Sequence, residues 1–94
     1  MTKNTKLIEK EDIANFSFPS EEVLHETELK DLRKNNIVKG MKLGNLFKNK
    51  VHIIFEDSEC LKRVETTIWG VTEKSLILKT NLFIPINRIH SITI

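Results

Sequence analysis

Apolar and polar positions change period partway along this chain. From Val51, the residues Val51, Ile53 and Phe55 interleave with His52, Ile54 and Glu56, a period of two that predicts a strand with one buried face. Asp57-Ser58-Glu59 follows as a polar turn. Leu61 to Thr72 is dense in β-branched residues (Val64, Thr66, Thr67, Ile68, Val71) and carries Trp69. It is too long for one flat strand, so Gly70 is expected to mark a bulge or sharp bend. Thr72-Glu73-Lys74 turns the chain into Ser75–Lys79, and Thr80-Asn81 turns it into Leu82–Ile86. Pro85 has no N–H to give a ladder, which places it on an edge or at a bulge. Asn87-Arg88-Ile89 reads as a one-turn connector to a last strand, His90–Ile94.

The first half lacks this alternation. Residues 1–18 are mostly polar, with Leu7, Ile8 and Ile13 among the few sizeable apolar groups, and are expected to be a flexible extension. Pro19 and Ser20 followed by Glu21 and Glu22 predict a helix start, with Ser20 as cap and the two acids at the positive end of the helix dipole. Val23, Leu24, Leu29 and Leu32 supply a thin apolar stripe and Asn35-Asn36 a stop. A further helical turn is expected around Leu43, Leu46 and Phe47, against the cost of Gly40 and Gly44, about 1 kcal/mol each inside a helix. The expected organisation is an extension (1–18), a helical lead-in (19–49) and a small β module (50–94), mostly β with an N-terminal helix. Five short strands, one long and bent, predict a small, strongly curved barrel. About 45 residues bury little surface alone, so the lead-in, self-association, or both should cover an open end.

Composition narrows the classes. The chain has 94 residues, 39% hydrophobic and 30% charged, with a net charge of +2, an ordinary globular balance. Residues 1–36 carry six Lys/Arg against eight Asp/Glu, while 37–94 carry nine against five, so the basic excess lies in the C-terminal part. The N-terminal run MTKNTKLIEKEDIANF has acids and no apolar stretch, so no secretory signal is expected. The lone Cys60 allows no internal disulfide; with no spanning apolar run, a cytoplasmic setting is expected.

The layout of residues 41–94 resembles the Sm-like fold of Sm, LSm and bacterial Hfq proteins. The resemblance rests on VHIIFEDSECL, TTIWGVTEKSLILK and IPINRIHSITI. The barrel of the Rho-binding antiterminator proteins looks similar, with a comparable charged turn and ending. Where Sm proteins place Asp and Asn before the third strand, this chain has Thr72-Glu73-Lys74-Ser75, and Arg88 is followed by Ile89 rather than Gly. Hfq's Lys-His pair falls on Asn87 and Arg88. The resemblance implies that Arg88 is a cationic RNA contact and that subunits join through strand edges, for which Val71, Phe83 and Ile84 are the expected residues.

Catalytic signals are thin. His25, His52 and His90 are far apart, Cys60 has no His or Cys at ligand spacing, and the three glycines fit no phosphate loop, so no catalysis, metal or cofactor is expected. Acids beside Cys60 should blunt its thiol, leaving it a packing role. Binding is the stronger candidate. Lys48, Lys50, Lys62, Arg63, Lys74, Lys79 and Arg88 lie in or beside the β module, with Phe47, Trp69 and Phe83 as aromatic platforms. The expected function is a regulatory module that contacts single-stranded RNA, with Lys74 and Arg88 on phosphate, Phe83 stacking and Lys79 as a further RNA-binding residue. The alternative is a protein–protein adaptor using a strand edge. Lysines pointing into solvent and aromatics filling the core remain the plain reading, and Trp69 decides between them.

Overall fold

The alternation at Val51–Glu56 forms strand β2, with Val51, Ile53 and Phe55 fully buried. The computed structural model describes residues 5–94. Around β2 stand β1 (Lys6–Leu7), helix α1 (Thr27–Phe47), β3 (Leu61–Thr66), β4 (Ile68–Val71), β5 (Ser75–Leu78), β6 (Leu82–Pro85) and β7 (Ile89–Thr93). Two 3-10 segments, Lys10–Asn15 and Ile86–Arg88, complete the chain. The strands form a four-stranded sheet, order β1-β3-β2-β7, and a three-stranded sheet, order β4-β5-β6. All pairings are antiparallel except β1 with β3. No helix of the described residues is long and apolar enough to cross a membrane.

The five strands expected from residues 50–94 are six, because the long segment divides at Thr67 into β3 and β4. The chain passes from one sheet to the other there, giving two sheets rather than one closed barrel. The irregularity expected at Gly70 is a register shift between Ile68 and Gly70, which leaves Trp69 as the extra residue. Pro85 lies on β6, an edge strand, where its missing N–H interrupts no inner ladder.

The helix departs most from expectation. It begins at Thr27 rather than Ser20, runs through Asn35-Asn36, and includes the turn expected separately at 43–47. Its buried face is Arg33, Ile37, Gly40 and Gly44, spaced four, three and four apart as a helical stripe requires. Leu29 and Leu32 are exposed. Asn36 does not stop the helix because its Nδ2 donates to the Ile92 carbonyl at 3.2 Å. Glu22 is not a first-turn acid. Its carboxylate accepts the Leu24 N–H at 3.0 Å and takes the Arg33 guanidinium with two contacts, 2.7 and 2.8 Å, while Arg33 also donates to the Ile89 carbonyl at 3.0 Å. Tertiary pairing therefore outweighs the capping signal at Ser20.

Within the N-terminal extension, pairing with the sheet begins at Lys6; residues 1–4 lie outside the described residues. The Ile8 N–H donates to the Arg63 carbonyl and the Ser58 N–H to the Ser17 carbonyl, both at 2.9 Å. Ile13 is buried in the common core with Ile68, Leu76 and Ile84. Phe16 and Phe18 lie over Phe55 at centroid distances of 6.2 and 6.0 Å, within the range of favourable tilted pairs.

Candidate nucleic-acid interface

Four local features converge at the β3–β4 bend. The helix ends at Lys48 in the left-handed region (φ 58°), with its N–H on the Gly44 carbonyl at 3.1 Å, the arrangement usually given to glycine. The chain reverses there and Lys50 leads into β2. In the β5–β6 turn, Thr80 and Asn81 are also left-handed (φ 68° and 60°), and the Lys79 N–H donates to the Thr67 carbonyl at 3.3 Å, tying the turn to the bend. The bulge leaves Trp69 47% exposed. Finally, β1 and the residues after it form a wall along β3.

Together these segments enclose an open cavity of about 550 Å³, lined by Lys48, Lys50, Trp69 and Lys79 together with Glu9 and Glu65. Its size suits a ligand of one or two ring systems. Lys10 also lines it, paired with Glu11 at 2.8 Å, and Glu65 lies 3.6 Å from His52. Among the described residues, Lys48, Lys50 and Lys79 form no ion pair. An indole beside unpaired ammonium groups offers a stacking face and positive charge to one ligand.

The residues expected from sequence are spread more widely. Lys79 is in the cavity. Lys74 stands on the exposed Thr72–Lys74 turn beside a different hollow, with Pro85 and Asn87. Phe83 is 50% exposed on β6, outside the cavity lining. Val71 is partly exposed beside Ile37, Val38 and Ile86. Ile84, expected at an oligomer edge, is a core side chain with no exposure, because the two-residue period of β6 turns it opposite to Phe83.

Arg88 requires a correction. It is only 6% exposed, and its guanidinium donates to the carbonyls of Glu56 (3.0 Å), Glu21 (2.8 Å) and Asp57 (3.5 Å). A guanidinium committed to three carbonyls is a clamp between the β2 end and the 20–24 segment, not a free phosphate contact. Arg88→Ala is expected to cost about 3 kcal/mol or more, since it strands buried acceptors, while leaving any ligand affinity of the folded protein unchanged. Chemical denaturation alongside a binding titration checks this; full stability with weakened binding would restore the RNA role.

Lys62 is likewise committed. It is buried and paired with Asp57, its Nζ lies 4.5 Å from the Phe16 ring centroid, and Glu59 approaches at 3.5 Å. Burial by itself would raise the Asp57 carboxyl, but Lys62 and the N–H groups of Cys60 and Glu59 more than offset it and hold it below its ordinary value. Burial would lower Lys62, and Asp57 reverses this to raise it. The Cys60 thiol is exposed rather than packed. His90 Nε2 lies 2.8 Å from Glu56 Oε1, and no metal-ligating group of three or more side chains occurs among the described residues.

Sequence reasoning placed Lys48 and Lys50 among many cations without selecting them and left Trp69 open. The missing information is spatial: a left-handed lysine has no composition signature, and the bulge expected at Gly70 does not by itself say which side chain it turns outward. Comparison with family profiles, curated proteins and solved structures finds no match to this chain.

Proposed function

We propose that this protein is a non-enzymatic, cytoplasmic regulatory module that binds single-stranded RNA at the Trp69 cavity. The observation that carries the reading is a half-exposed tryptophan sharing one hollow with three unpaired lysines. A stacked base is worth about 1–3 kcal/mol and is tolerant of sequence, while lysines near phosphate supply the salt-dependent part. One further feature supports the reading. The two sheets, joined by the single residue Thr67 and closed by a 3-10 turn before β7, fit a small open barrel of the Sm-like or SH3-like kind.

Trp69 is the only tryptophan, so its emission reports the site directly. Titration with short RNAs is expected to quench and shift that emission. Trp69→Ala should weaken binding roughly 10- to 100-fold, and Lys79→Ala should lower the salt slope by about 0.7, read by anisotropy at about 50 and 200 mM salt. Emission that ignores RNA, with binding lost at the higher salt, would sink the RNA reading. It would leave the adaptor reading, which Phe83 favours as an exposed aromatic on the edge strand β6.

A further inference from the structure

The cavity is charged on two sides. Its unpaired lysines come from the α1–β2 turn (Lys48, Lys50) and from the β5–β6 turn (Lys79), whereas its carboxylates come from the N-terminal wall (Glu9) and from β3 (Glu65), elements that pair with each other. A purely phosphate-binding surface has no use for carboxylates in its lining, since each repels the anion the lysines attract. A ligand that suits both sides has an anionic group at one end, a flat ring for Trp69, and hydrogen-bond donors at the other end.

We infer that the cavity selects bases whose amino group sits at the purine-6 or pyrimidine-4 position, adenine and cytosine, over uracil, with Glu65 and Glu9 as acceptors for that group. This rests on the RNA-binding reading above. Adenine offers N6–H₂ and cytosine N4–H₂, which a carboxylate accepts in a charge-assisted bond. Uracil presents a carbonyl oxygen at the equivalent position, so a carboxylate there meets an acceptor and gains no hydrogen bond from it. The lower part of the 1–3 kcal/mol given by a good base-edge contact, as suits exposed carboxylates, corresponds to a preference of about tenfold.

Both carboxylates are on exposed residues, so Glu65→Gln and Glu9→Gln can be made without disturbing the core. A glutamine amide can donate to a uracil carbonyl as well as accept from an amine, so the variants should lose the preference rather than the affinity. The experiment measures dissociation constants of labelled oligo-A, oligo-C and oligo-U of equal length by anisotropy, with Trp69 emission followed in parallel. Oligo-A and oligo-C are expected to bind about tenfold tighter than oligo-U, and Glu65→Gln or Glu9→Gln should shrink that ratio several-fold. Equal or tighter binding of oligo-U, or a ratio unmoved in both variants, overturns the base preference; if Trp69 is still quenched by every strand, the binding site itself stands. No response of Trp69 to any strand removes both.

Discussion

Gly44→Ala is expected to destabilise the protein by about 2 kcal/mol or more, although alanine is the better helix former by about 1 kcal/mol. A Cβ on Gly44 would lie 2.4 Å from the Ile68 carbonyl oxygen and 3.0 Å from Cγ2 of Thr67. Backbone cannot step aside as a side chain can, so α1 would have to move off β4, and overpacking of that kind costs about 1–3 kcal/mol and sometimes more. Gly40 provides the control. Its added Cβ would meet Cδ1 of Ile68 at 3.1 Å, the end of a side chain that can rotate. Gly40→Ala is therefore expected within about 1 kcal/mol of the parent, the relieved helix cost offsetting a small repacking term. Thermal melts of both variants check the contrast: at about 4–8 °C per kcal/mol for a domain of this size, Gly44→Ala should fall by roughly 10 °C and Gly40→Ala by little. Equal melting temperatures would mean that the helix does not approach β4 as closely as described.

The second large effect is acid loss of stability through Glu22. Hydrogen bonds from Arg33 hold its carboxyl at about 2, against an ordinary 4.5, with burial opposing and the Leu24 N–H assisting. A carboxyl depressed in the folded state stabilises fully above its unfolded value and loses that contribution as pH falls through the folded one, so this contribution is lost between about pH 4.5 and 2. The shift corresponds to about 3 kcal/mol at most; because the Glu22 side chain is 29% exposed, screening reduces it to about 1–3 kcal/mol. Arg33→Met should cost about 2–4 kcal/mol at neutral pH, since it also leaves the buried Ile89 carbonyl without its donor. The variant should in addition lose much of its pH dependence between 5 and 2, as the Glu22 carboxyl returns towards its ordinary value. Urea denaturation across that range separates the two effects. An unchanged slope in Arg33→Met would show that the acid limb belongs to other carboxylates, Asp57 first among them.

These two sites also mark the boundary of what was legible beforehand. Period-two alternation is a local property, so β2 and the strands around Leu76 and Ile84 could be read from their own residues. The polar turns at 57–59, 72–74 and 80–81 were equally plain. Gly40 and Gly44 were legible only as a cost, because the strand that requires their bareness lies more than twenty positions away. Ser20-Glu21-Glu22 looked like a cap until Glu22 was claimed by Arg33, eleven residues on. Arg88 looked like a free cation because the three carbonyls that hold it come from two distant segments. For the candidate site, Lys79 could be named from the sequence as one cation among several, whereas its association with Lys48, Lys50 and Trp69 depends on the bend at Thr67 and the bulge beside it.

The last strand has a further consequence, for the order in which the molecule can be made. β7 follows every other element in the chain, yet it supplies the Ile89 carbonyl that Arg33 needs and the Ile92 carbonyl that Asn36 needs. The residues just before it hold the 20–24 segment, through Asn87 to Val23 and Ser20 and through Arg88 to Glu21. A helix of 21 residues with few apolar groups on its buried face is marginal without tertiary support. The helical part is therefore expected to lack these tertiary hydrogen bonds until β7 is available to pair with β2, which ties the stability of α1 to a strand far from it in sequence.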